Sequence, residues 1–117
     1  MDDHICKITR AGDVVVLVLT LNNITMEDNE FLKKTVSTLL DEGNKKILLD
    51  LSDTNFISSL VLASFVFMLK RAREAGGNLV MCSVKGLVEE VLSITDLDKV
   101  FEICPDRQAA ILALARR

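Results

Sequence analysis

The run "KKILLDL", from Lys45 to Leu51, constrains the fold of this chain more than any other stretch. Its residues Ile47, Leu48 and Leu49 are apolar on successive positions, and successive side chains of a strand point to opposite faces. A strand that is apolar on both faces needs cover on both faces. That is the signature of a central strand in a sheet flanked by helices, not of a strand with one wet side. The chain is therefore expected to alternate strands with helices around "ILLDL".

The rest of the sequence supplies those elements. "HICKITR" alternates and, after the turn "AGD", "VVVLVLTL" follows, so a β-hairpin opens the domain. From Met26 to Glu42 the apolar residues Phe31, Leu32, Val36, Leu39 and Leu40 fall with Thr35 on one helical face. Thr25 and Asp28 form the pattern of a capping box, and Gly43 is placed to end the helix. After "ILLDL" a second helix is expected from Ser59 to Ala75. It is apolar nearly all round from Leu60 to Leu69, apart from Ser64, which predicts deep burial of its first half. "GG" at Gly76 and Gly77 stops it, "NLVMCSV" is a strand and "GLVEEVLSIT" a short helix. "KVFEI" reads as a short edge strand, and "PDRQAAILALARR" as a terminal helix entered through Pro105, with Asp106 as cap. The order β-β-α-β-α-β-α-β-α predicts one α/β domain over residues 1–117. Its mixed sheet has about five strands, and helices 28–42 and 59–75 pack on one side.

Composition removes several functions. The net charge of −3 and the absence of Tyr and Trp leave no basic, aromatic face for nucleic acid. No apolar run reaches the roughly 20 residues that span a bilayer, so direct membrane insertion is not expected. The start "MDDHICK" lacks the basic and apolar regions of a signal peptide, which points to a cytoplasmic protein. Cys6, Cys82 and Cys104 form no CxxC pair, and with His4 as the one histidine, expected to be exposed, they make a poor metal site. They read as buried, reduced thiols. Asp50 and Asp53 raise the thought of a carboxylate pair for acid–base chemistry or Mg²⁺. Strand parity and the lack of a nearby base argue instead for Asp53 capping the loop. No cofactor motif and no nucleophile–base pair is present, so an enzyme is not expected.

Two adjacent hydroxyls remain, Ser58 and Ser59, between the central strand and the greasy helix. Serine there is an ordinary helix cap. It could also be a nucleophile or a phosphorylation site.

The segment "ILLDLSDTNFISSLVLASFVFMLKRAREAGGNLVM", with "VEEVLSITDLDKVFEI" after it, resembles the STAS domain of bacterial anti-sigma-factor antagonists. The similarity runs over essentially the whole chain. It implies a compact α/β domain whose serine, after the third strand, is phosphorylated by a partner kinase that is itself the anti-sigma factor. A serine phosphatase of the metal-dependent type removes the phosphate. The family's loop reads roughly Phe/Tyr-Ile/Met-Asp-Ser-Ser/Ala-Gly-Leu-Gly. Phe56 and Ile57 match its first two positions, Ser58 stands in place of the Asp, and Ser59 in place of the phosphorylated serine. Leu60 replaces the small residue, Val61 the first Gly and Ala63 the second, while Leu62 matches. The family's earlier Gly-Glu-Leu-Asp pattern is "NNIT" here, and Asp28 stands where the family often has Thr.

The resemblance thus implies Ser59 as phosphoacceptor, with Ser58 as second choice. It implies a docking patch made of Asn22, Asn23 and Thr25, of Asp53, Thr54 and Asn55, and of Ser58, Ser59, Val61 and Leu62. Phosphate at a helix N-terminus would meet free N–H groups and a favourable dipole. It would add about −1.5 to −2 of charge without breaking the helix. Two functions follow. One is a phosphorylation-gated antagonist that sequesters a serine kinase/anti-sigma factor and so frees a sigma factor. The other is an unphosphorylated STAS scaffold in a signalling assembly or a lipid-transport complex.

Overall fold

The structure, a computed structural model, describes residues 4–116. A hairpin opens it: β1 (Cys6–Ala11) runs antiparallel to β2 (Val14–Leu19), with Ala11 opposite Val14 and Gly12 at positive φ in the turn. Then come α1 (Met26–Asp41), β3 (Lys46–Asp50), α2 (Ser59–Glu74) and β4 (Asn78–Cys82). The chain continues through α3 (Gly86–Ile94), a 3-10 turn at Leu97–Lys99, β5 (Glu102–Cys104) and α4 (Arg107–Ala115). Strand order in the sheet is β1-β2-β3-β4-β5, and β2 to β5 are mutually parallel. "ILLDL" is therefore central, as its two apolar faces require.

Alternation along the strands divides the core in two. Val15, Leu17 and Leu19 of β2 share one face of the sheet with Ile47, Leu49, Leu79 and Met81. That face packs against Leu32 and Val36 of α1, Phe65 and Met68 of α2, and Val88 and Leu92 of α3. On the other face, Val14, Val16, Leu48, Val80 and Cys82 meet Ala110 and Leu114 of α4. Three helices thus cover one side and a single helix the other. Cys6 and Cys82 are buried and Cys104 is half-buried. Burial pushes the Cys82 thiol up to about 11, which keeps it protonated and inert at neutral pH.

The helix ends follow local chemistry. Thr25 accepts from the Asp28 amide and Asp28 returns a bond to the Thr25 amide, both at 3.0 Å, a complete capping box. At the far end of α1 the amides of Gly43 and Asn44 bond back to Leu40 and Leu39, and α2 ends in the same way through Gly76 and Gly77. Both exits are Schellman motifs with glycine at positive φ.

Candidate functional site

The carboxyl ends of parallel strands are where α/β sheets present ligand and partner sites. Here that end carries two loops, from β2 into α1 and from β3 into α2. Thr54 ties them together: its hydroxyl donates to the Leu19 carbonyl at 2.7 Å and accepts from the Leu21 amide at 3.1 Å. Asn22 adds a second tie. Its Oδ1 accepts from the amides of Asn55 at 2.5 Å and Phe56 at 3.2 Å, while its Nδ2 donates to the Asp53 carbonyl at 3.2 Å. Five side-chain contacts between the loops hold the approach to α2 in one arrangement. The buried pair of Ser64 and Asn29, at 2.8 Å, locks α2 to α1 one turn further in.

The two serines take separate roles. Ser58 is the cap residue of α2, with extended backbone and a hydroxyl that accepts from the Val61 amide at 3.3 Å. Ser59 is the first helical residue, and it is exposed. Its own amide and that of Leu60 belong to the set that helix geometry leaves without an intrahelical acceptor. The first turn of α1 carries Glu27 and Asp28, but that of α2 carries no acidic residue, so its positive dipole end is open.

The other sequence-selected residues divide by burial. Asn22, Asn23, Thr25, Asp53 and Asn55 are exposed together with Ser59, and Ser58 and Leu62 are half-buried. Thr54 and Val61 are fully buried. This corrects their place: they lie beneath the patch, Thr54 as the tie between loops and Val61 as part of the core, with no surface to offer a partner. Asp53 contributes a main-chain carbonyl, and the side chain that caps the loop is Asp50, whose Oδ1 accepts from the Ser52 amide at 3.0 Å. The other oxygen of Asp50 takes the Nε and Nη2 of Arg107 at 3.2 and 2.7 Å. Burial pushes the Asp50 carboxyl up, but the hydrogen bonds from Arg107 and Ser52 outweigh it and hold it below the usual carboxylate range. The pair pins α4 to the sheet and is not poised for acid–base work. Among the described residues no group of His, Cys, Asp or Glu is arranged to hold a metal ion.

The helix after the serines is less buried than its composition suggests. Val61, Phe65, Met68 and Leu69 are core, but Leu60, Val66 and Phe67 are each about 40% exposed and Phe56 is 46% exposed. Leu60 and Phe67, at i and i+7, share one face with exposed Ala63 between them. The Lys33 ammonium lies 4.9 Å from the Phe67 ring centroid. The signal was present in the sequence: an apolar run around the whole helix is more than one buried stripe needs. The surplus is an apolar surface beginning at the serines. The Asn29–Ser64 lock had no comparable signal, since neither residue stands out until the helices are packed.

The model of the STAS domain matches residues 7–110 of the chain. The chain belongs to the STAS domain family. A protein of Bordetella bronchiseptica named as a putative anti-sigma factor antagonist, BtrV, is 30% identical over 84% of this chain and 85% of its own length. A Thermotoga maritima crystal structure bearing the same description superposes with a TM-score of 0.85 at 33% identity, covering 96% of this chain and 95% of that one. SpoIIAA, solved in its unphosphorylated form, shares the fold at a TM-score of 0.72 and 10% identity, over 95% of this chain and 97% of its own. The five-stranded mixed sheet with four helices is thus the STAS architecture. No helix among the described residues is long and apolar enough to cross a membrane.

Proposed function

We propose that this STAS domain is an anti-sigma-factor antagonist whose docking to a serine kinase/anti-sigma factor is gated by phosphorylation of Ser59. The observation that carries the reading is the placement of Ser59: exposed, at the positive end of α2 whose first turn holds no acidic residue, on a loop held by Asn22 and Thr54, and beside the apolar surface of Leu60 and Phe67. Ser58 already spends its hydroxyl on the Val61 amide, so Ser59 is the acceptor and Ser58 the cap. Phosphate on Ser59 gains hydrogen bonds and dipole stabilisation within the domain. For the partner it places about −1.5 to −2 of charge at the rim of an apolar contact, where desolvation and repulsion oppose docking. The fold survives while the interface is lost. The kinase is the anti-sigma factor itself, its capture releases a sigma factor in the cytoplasm, and a serine phosphatase of the metal-dependent type resets the domain.

Site mapping tests this. Incubation with the cognate kinase and ATP, followed by mass spectrometry, is expected to place one phosphate on Ser59 and none on Ser59→Ala. Phosphate on Ser58 would reverse the assignment. No phosphate on either serine, with the kinase active on another substrate, would leave the unphosphorylated scaffold as the function.

A further inference from the structure

A groove of about 910 Å³ lies between the outer edge of β1 and α1, lined by none of the serine-site residues. Its floor is apolar: Cys6 and Ile8 from the strand, Phe31 and Leu39 from the helix. Ile8 is 46% exposed there. Cys6, Lys7 and Ile8 all line it, and consecutive strand side chains point to opposite faces. The strand's main chain is therefore itself one wall. β1 is the edge of the sheet, so among the described residues its outward N–H and C=O groups have no neighbouring strand.

The rim is cationic. Lys7 and Lys34 flank the groove, and neither forms an ion pair among the described residues. Lys46, Arg71 and Arg107, by contrast, are each engaged by an aspartate. A chain of net charge −3 thus leaves two cations uncompensated at an apolar groove.

We propose that this groove binds an extended segment of a partner protein in which acidic and apolar residues alternate, adding it to β1 as a sixth strand. An added strand satisfies the main-chain wall. Its alternate apolar side chains fill the floor on the α1 side, and the carboxylates between them, on the opposite face, meet Lys7. A second copy of the domain fits worse, because edge-to-edge pairing would set Lys7 and Arg10 against the same residues of its twin. An acyl chain would press hydrocarbon on main-chain groups that it cannot hydrogen-bond. The site stands apart from Ser59 and does not depend on the phosphorylation reading.

The test uses a fluorescein-labelled, terminally blocked peptide of about eight residues alternating glutamate with valine, matched to the length of the β1 edge. Saturable binding is expected by anisotropy, with amide shifts by NMR at Lys7 to Ala11 and along the Phe31 to Thr38 side of α1. Reversing the charge of Lys7 (Lys7→Glu) is expected to weaken binding about fivefold, the scale of one modest ion pair exchanged for a repulsion. The same variant should gain affinity for a lysine–valine peptide. A peptide N-methylated at alternate residues should lose binding. Absent saturation, affinity indifferent to charge reversal, or shifts confined to α2 would overturn the proposal. So would dodecanoate producing the β1 shifts where the peptide does not, or sedimentation showing a dimer joined through β1.

Discussion

Ser58 and Ser59 are chemically identical and physically unequal, and the difference is measurable. Ser58 holds the Val61 amide, so Ser58→Ala is expected to cost about 0.5–2 kcal/mol in urea denaturation, the range for losing a helix cap. Ser59→Ala removes an exposed hydroxyl with no capping bond and should stay within about 0.5 kcal/mol of wild type. Equal losses would mean that the cap is shared. Ser64→Ala should cost about 1–3 kcal/mol, because it strands the buried Asn29 amide group. Two titrations belong at this scale. The folded pKa of Asp50 is depressed, so its stabilisation is present above the unfolded value near 3.8 and is lost as pH falls through the lower folded value. The stability gap between wild type and Asp50→Asn should therefore shrink in acid. Cys82 runs the other way. Its folded pKa of about 11 lies above the ordinary thiol value of 9.0, so the neutral thiol favours folding below about 9, and that contribution is lost as pH rises through about 11. Cys82→Ala should flatten the alkaline arm of the stability profile. An unchanged arm would exclude it.

At the scale of elements, much was legible because local chemistry and packing agreed. The two apolar faces of "ILLDL" forced a central strand, Thr25 and Asp28 formed their capping box, and Gly43 and Gly76 ended their helices at positive φ. α2 was read too simply. Continuous apolarity from Leu60 to Leu69 predicts deep burial of the helix's first half, but a helix lying on a sheet and one neighbouring helix keeps a side free, and Leu60 and Phe67 occupy it. The loop-capping role given to Asp53 belongs to Asp50, since that depends on where Arg107 of α4 arrives, 57 residues further on. The turn after α2 has its own prediction. A methyl at Gly77 would run into the Lys45 backbone, whose carbonyl accepts from Asn78 at 2.8 Å where β4 begins. Gly77→Ala should cost about 1–3 kcal/mol in chemical denaturation, as overpacking against an immovable neighbour does. Gly43→Ala meets no neighbouring atom and should lose less, from its left-handed backbone alone.

The whole molecule separates a rigid body from a chargeable surface. All five buried polar residues, Asp28, Asn29, Asp50, Thr54 and Ser64, gather at the carboxyl end of the sheet, and no buried side-chain polar atom of the described residues is left without a partner. That end is therefore ordered before any partner arrives, and binding there need not order a loop. The patch itself was only half legible in sequence. The serines and Asn22 could be picked from their residue types and the family pattern. The apolar face beside them required the packing of α2, and the burial of Thr54 and Val61 required the tertiary fold. The central claim is that charge at Ser59 switches docking while the domain stays folded. Its most direct measurement is the affinity of the cognate kinase for wild type, Ser59→Ala and Ser59→Asp by titration calorimetry, with circular dichroism confirming that all three are folded. The account predicts that wild type and Ser59→Ala bind alike and that Ser59→Asp binds about 5- to 150-fold more weakly, a coupling of about 1–3 kcal/mol. Equal affinity of Ser59→Asp and wild type would contradict it.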